Sequence, residues 1–182
     1  MPVLIPLADG VEPLEAVTII DVLRRAKIRV TTVSLTDHVT IHAAHGIMIA
    51  ADTTWAAINL TDFGAIVLPG GGKGTDILKA DARILDAVRL FAEEGRHVAA
   101  ICAGPTVLAK AGVLNGRTAT CYPTCAEELG KAYENAPVIA DENIITSQGP
   151  GTALLFALVL VQHFKGEEEA HAVADAMLTT IQ

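Results

Sequence analysis

Aromatic side chains are scarce in this chain: 4% of its residues, with one Trp and two Tyr. A core of ordinary size must then be packed from Val, Ile, Leu and Ala, which suits layered strands and helices and disfavours an aromatic-rich β-sandwich. Basic charge is scarce too, with 13 Lys and Arg against 21 Asp and Glu and a net charge of −8. Binding to a phosphate backbone needs clustered cations, so nucleic acid is not expected as a partner. The longest apolar run, residues 152–161, falls well short of the roughly 20 residues that cross a bilayer. Met1 leads straight into Pro2-Val3-Leu4-Ile5, without the basic start and small-residue cleavage site of a secretory signal. The three cysteines cannot all pair, and their spacing fits no zinc finger. Free thiols are expected in a reducing compartment, the cytoplasm.

What is present reads as alternating strands and helices in one domain spanning residues 1–182. The apolar run 2–8 predicts a buried strand; Asp9-Gly10 breaks it and a helix follows from Glu12-Pro13 to about Ala26. A second strand over 28–35 completes a βαβ unit, hence a parallel sheet. Residues 38–51 are expected to form a hairpin on the sheet's edge. Further strands are expected at 65–69, 97–101, 117–120, 138–140 and 143–146, and helices at 81–94, 104–111, 152–164 and 167–179. The fold class is α/β, an open, doubly wound, mostly parallel sheet with helices on both faces. Chemistry in such sheets sits outside the carboxyl ends of the strands.

Three constellations fall there. In Val98-Ala99-Ala100-Ile101-Cys102-Ala103-Gly104-Pro105 an apolar strand stops at a cysteine and passes through small residues into a helix. That is the pattern of a nucleophile elbow, in which a tight, strained turn holds the side chain out, and a helix N-terminus below the sulfur would acidify it. A buried, inert cysteine is the alternative from local spacing alone. In Leu68-Pro69-Gly70-Gly71-Gly72-Lys73-Gly74 glycines after a strand allow backbone N–H groups to approach negative charge closely. The run has neither the phosphate-loop nor the dinucleotide pattern, and a plain turn is the alternative. Glu15, flanked by Leu14, Ala16 and Val17, is either a partly buried acid with a raised pKa or a solvated acid at a helix start. His38, His42 and His45 lack a completing carboxylate or thiol nearby, so no metal is expected. Cys121 and Cys125 are separated by three residues, not the two of a thioredoxin-like pair; Cys121 is a possible resolving thiol for Cys102.

With these residues in place, the sequence resembles the ThiJ/PfpI superfamily, in its DJ-one branch. The stretches that carry the resemblance are ADGVEPLEAV at 8–17, DVLRRAKIRV at 21–30, VLPGG at 67–71, AAICAGPT at 99–106 and SQGPGT at 147–152. The resemblance implies a flavodoxin-like sandwich, usually a homodimer, with Cys102 as nucleophile and Glu15 as a protonated carboxyl hydrogen-bonded to it. It further implies that the backbone N–H groups of Gly71 and Ala103 stabilise an oxyanion, with Gly70 and Tyr122 as possible substrate-positioning residues. The family often has a His where Tyr122 stands, and a close relative would have an Arg at His45 reaching toward the partner subunit. The peptidase branch has a His directly after the nucleophile; Ala103 stands there, which disfavours a peptidase. The expected function is that of a glyoxalase or protein deglycase, without cofactor, acting on small dicarbonyls or their protein adducts. A redox-sensing or chaperone-like stress-response role for Cys102 is the alternative.

Overall fold

The computed structural model describes residues 1–181. Nine strands and seven α-helices are present among them: β1 (Val3–Leu7), α1 (Pro13–Arg25), β2 (Val30–Ser34), β3 (Thr40–His42), β4 (Met48–Ala50), β5 (Thr53–Thr54), β6 (Ala65–Leu68), α2 (Gly72–Ala80), α3 (Ala82–Glu93), β7 (His97–Ile101), α4 (Pro105–Ala111), α5 (Ala126–Leu129), β8 (Val138–Asp141), β9 (Ile144–Ser147), α6 (Ala153–Lys165) and α7 (Glu167–Ala176). The main sheet runs β5-β2-β1-β6-β7-β9-β8, parallel throughout except for β8, which is antiparallel to β9.

Both faces of this sheet are covered, so its strands are apolar on both sides. Val3, Ile5 and Leu7 of β1 pack into one cluster with Ile19, Leu23 and Phe156. Leu4, between them, packs into the other with Ile84, Val88 and Phe91. The first cluster lies under α1, α6 and α7, and the second under α2, α3 and α4. From β1 the chain first builds outward through β2 and β5, then returns to the other side of β1 with β6. The switch point is therefore at the carboxyl ends of β1 and β6, with β7 adjacent.

Helix α1 shows how local chemistry sets its bounds. The Glu12 side chain accepts a hydrogen bond from the Leu14 N–H, Pro13 opens the first turn, and Arg24 and Arg25 close the last, where cations complement the helix dipole. Three expectations are corrected. Strands β3 and β4 do form a hairpin, but as a separate two-stranded sheet; the main sheet ends at β5. Residues 117–120 are not a strand, and only Ala119 makes a bridge, to Tyr133. Side chains take the donors a strand partner would have used: the Thr118 N–H goes to Asp141 Oδ2 at 2.7 Å and the Thr120 N–H to Thr146 Oγ1 at 2.9 Å. The glycine run after β6 passes directly into α2, which the low helix propensity of its Gly-Lys-Gly start had concealed. No helix among the described residues is long and apolar enough to cross a membrane.

Candidate active site

Cys102 follows the last residue of β7 and has φ 64, the left-handed region that costs a non-glycine residue about 1–2 kcal/mol. Two neighbours hold it there. Its N–H donates to the Ser147 carbonyl at the end of β9 at 3.0 Å, and its carbonyl accepts the Tyr122 N–H at 2.8 Å. The turn then closes through the Gly104 N–H to the Ile101 carbonyl at 2.9 Å. Glycine is required at 104: a Cβ there would lie 2.8 Å from the carbonyl oxygens of both Leu68 and Ile101. This is the elbow read from the sequence, clamped on both flanks.

Glu15 reaches the sulfur from α1. It is fully buried, and its Oε2 accepts the Gly70 N–H at 2.8 Å. Its Oε1 is buried without an oxygen or nitrogen partner, and the Cys102 thiol stands beside the carboxyl. Burial raises the Glu15 carboxyl to about 7, the nearby Glu12 charge adds to this, and the bonds from Gly70 and Cys102 oppose it. Burial pushes the Cys102 thiol up to about 12, reinforced by the charge of Glu15 and the bond to it, while the Gly71 and Ala103 N–H groups pull it down. The expectation of an acidified thiol is corrected here. Helix α4 begins only at Pro105, and the charge closest to the sulfur is a carboxylate. The two values belong to the pair: it loses its first proton near 7 and keeps the second to about 12. The carboxyl is the stronger acid of the two, and the two backbone N–H groups offset only part of the rise at sulfur.

Gly71 and Ala103 both direct their N–H groups to the Cys102 sulfur. Gly71 has φ 95, and a Cβ on it would lie 2.5 Å from the Glu12 nitrogen. Gly70, read as substrate-positioning, has both backbone groups occupied by protein, its N–H by Glu15 and its carbonyl by the Glu12 N–H at 3.0 Å. It orients Glu15. Tyr122 is 44% exposed at the start of a 3₁₀ turn, and its ring edge lies 3.2 Å from where a Cβ of Gly149 would be. Cys121 is not brought to the site. It is fully buried in the cluster under α4, whereas Cys102 packs against the opposite one; a resolving role toward Cys102 would require it to leave the core. His45 pairs within its own chain, Nε2 lying 3.2 Å from Glu12 Oε2. Two contributors carried no role in the sequence reading. Glu12 was read only as a helix start, and the Ser147 carbonyl lies in the SQGPGT stretch, whose sequence does not show which backbone atom it supplies.

A model of the DJ-1/PfpI family matches residues 1–163. The chain belongs to the DJ-1/PfpI family. It is 38% identical to protein dj-1beta of Drosophila melanogaster, over 96% of this chain and 95% of that one. It is 36% identical to the Parkinson disease protein 7 homolog of Danio rerio, over 93% of each. Among solved structures, oxidized Toxoplasma gondii DJ-1 superposes with a TM-score of 0.95 at 32% identity, covering 98% of both chains. Drosophila melanogaster DJ-1beta superposes at 0.94 with 38% identity and the same coverage. The fold of this DJ-1/PfpI member is accordingly the flavodoxin-like α/β arrangement described above.

Proposed function

We propose that this DJ-1/PfpI protein is a cofactor-free glyoxalase, also able to act as a deglycase on the protein adducts of small dicarbonyls. The observation that carries the reading is the buried Glu15 carboxyl, raised to about 7 beside the Cys102 thiol, with two backbone N–H groups at the sulfur. The Cys102 sulfur attacks the aldehyde carbon of methylglyoxal, and the oxygen that takes the charge meets the Gly71 and Ala103 N–H groups. Glu15 takes the thiol proton as the sulfur attacks and passes it to that oxygen, which gives the hemithioacetal and leaves Glu15 a carboxylate. Glu15 removes the proton from C1 and returns it to C2 through an enediol, a transfer that suits a carboxyl poised near 7. The product is the thioester of lactate. Water cleaves the C–S bond, releasing lactate and restoring the thiol. C1 is oxidised and C2 reduced within one molecule, so no external electron acceptor is needed.

The deciding measurement is conversion of methylglyoxal to lactate by the purified chain, beside Cys102→Ser. Turnover that depends on Cys102 supports the reading; turnover that persists in the Ser variant, or none in the native chain, defeats it. A redox-sensing stress-response role is the second reading. It is favoured by the partly buried position of Cys102, which is not sealed in the core, and by the structural relative described as oxidized. Free thiols at 102, 121 and 125 support placing the protein in the cytoplasm.

We further propose that two copies associate through the exposed apolar face formed by α1 and the β3–β4 hairpin. Leu14, Val17, Ile47 and Met48 are 47–68% exposed there, beside a cleft of about 580 Å³ that Pro150 and His45 also line. Apolar patches of this kind are normally covered.

A further inference from the structure

The chemistry at Cys102 leaves Cys121 and Cys125 unused, yet both pack on the same face of the sheet. Both pack into the cluster under α4, Cys121 fully buried and Cys125 partly exposed. Between them runs the 3₁₀ turn Pro123–Cys125, closed by the Cys125 N–H to the Tyr122 carbonyl at 2.8 Å. The turn carries the chain back on itself, so residue 125 returns to the cluster that residue 121 occupies. The thiols sense each other: burial, then Cys125, then Glu128 push the Cys121 thiol up to about 12. A shared metal does not account for the pairing, since among the described residues no third His, Cys, Asp or Glu joins them in a metal-holding group. Glu128 is held by Lys79 Nζ at 2.7 Å.

We propose that Cys121 and Cys125 form a second, reversible dithiol–disulfide centre, separate from Cys102 and closed by peroxides. The more accessible Cys125 reacts first. Its thiolate sulfur attacks one peroxide oxygen, the S–O bond forms as the O–O bond breaks, and water or an alcohol leaves. The Cys121 sulfur then attacks the sulfenic sulfur of Cys125. The S–S bond forms, the S–O bond breaks, and the departing hydroxide takes the Cys121 proton as water. Two thiols lose two electrons to one peroxide. The second step is slow, because a buried thiol raised to about 12 is seldom ionised. Closure ties down the segment carrying Tyr122, whose N–H holds the Cys102 carbonyl, so the centre is linked to the active site through that backbone bond.

The test does not depend on the glyoxalase reading, because it is run on Cys102→Ser as well as on the native chain. Each is exposed to hydrogen peroxide, denatured with an alkylating agent and digested with trypsin without reduction. Cleavage after Arg117 and Lys131 releases both cysteines in one peptide, Thr118–Lys131. The expected result in both proteins is a Thr118–Lys131 peptide lighter by two hydrogens and unalkylated, and fully alkylated again when reductant precedes the alkylation. Cys121→Ala should instead drive Cys125 on to sulfinic acid. If that variant does not fold, Cys125→Ser, at a partly exposed position, should leave Cys121 fully alkylatable after peroxide. Recovery of Cys125 as sulfinic acid in the native chain with Cys121 still alkylatable would overturn the proposal, as would a Cys121–Cys102 crosslink.

Discussion

A Cβ placed on Gly70 would lie 2.6 Å from the Cβ of Cys102 and 2.7 Å from Glu15 Oε2. The closeness of nucleophile and acid is therefore set by an absent side chain at the end of β6. Gly70→Ala is expected to cost about 1–3 kcal/mol by overpacking, and to lower dicarbonyl turnover more than tenfold by parting the pair. Gly72→Ala is the control, because a Cβ there meets nothing; it should raise stability by about 0.5–1 kcal/mol through helix propensity. Urea unfolding and turnover on the two variants check this. Equal effects would mean that crowding at Gly70 is relieved without moving Cys102.

The buried carboxyl makes stability depend on pH. In the folded chain Glu15 holds its proton to about 7, against 4.5 when exposed. Between those values the folded state binds the extra proton, so stability is full below pH 4.5 and is lost as pH rises through 7. The loss amounts to about 3 kcal/mol at most. Glu15→Gln removes the titration and should flatten this part of the profile, leaving the variant more stable than the native chain at pH 8. A native profile that rises from pH 5 to 8 in parallel with the variant's would show that Glu15 ionises as freely in the fold as in water.

Reactivity of Cys102 follows the same proton. Alkylation by iodoacetamide is expected to rise with an inflection near pH 7, where the pair loses its first proton, and Glu15→Gln should move that inflection. Cys121, fully buried, should stay unlabelled until the chain is denatured. Peptide mass spectrometry across pH follows all three sites. An unchanged Cys102 profile in the Gln variant would separate the thiol from the acid.

Much of this was legible before the structure. The apolar runs ending at Leu7, Leu68 and Ile101 are buried on both faces, which leaves a continuous hydrophobic signal, and Cys102 and the glycines stand just beyond two of them. What escaped depends on distant partners. Residues 117–120 have a strand's composition, but Asp141 and Thr146 take their donors. The rise in the Cys102 pKa comes first from burial and then from a carboxylate brought from residue 15, while local sequence shows only the helix that follows. The left-handed Cys102 is set by backbone groups of Ser147 and Tyr122, and backbone atoms carry no sequence signature.

Self-association through α1 and the hairpin is tested by Val17→Glu, at a position 50% exposed in the single chain. A charge in a desolvated interface is costly, so sedimentation should show monomers at concentrations where the native chain is dimeric, with the monomer's fold retained by circular dichroism. A Glu variant that sediments as the native chain does would move the interface elsewhere.

The part played by Tyr122 can be divided between its ring and its backbone. The ring is 44% exposed, and a phenol hydroxyl can donate a hydrogen bond to a substrate. Tyr122→Phe is therefore expected to lower turnover tenfold or less, about 1.4 kcal/mol. The N–H is a different matter, since it holds the carbonyl of the strained Cys102 at 2.8 Å. Tyr122 has φ −58 and ψ 133, angles a proline adopts without strain. Tyr122→Pro thus deletes the N–H while keeping the chain's path, and Tyr122→Ala deletes the ring while keeping the N–H. If the backbone bond positions the nucleophile, Pro should be less active than Ala by about tenfold or more, the cost of one unmet buried acceptor being about 1–3 kcal/mol. The loss should appear in kcat and in the rate of Cys102 alkylation, with KM little changed. Pro and Ala variants of equal activity would leave the Ser147 carbonyl as the one clamp that matters, and a loss of several hundredfold in Tyr122→Phe would bring the hydroxyl itself into the chemistry.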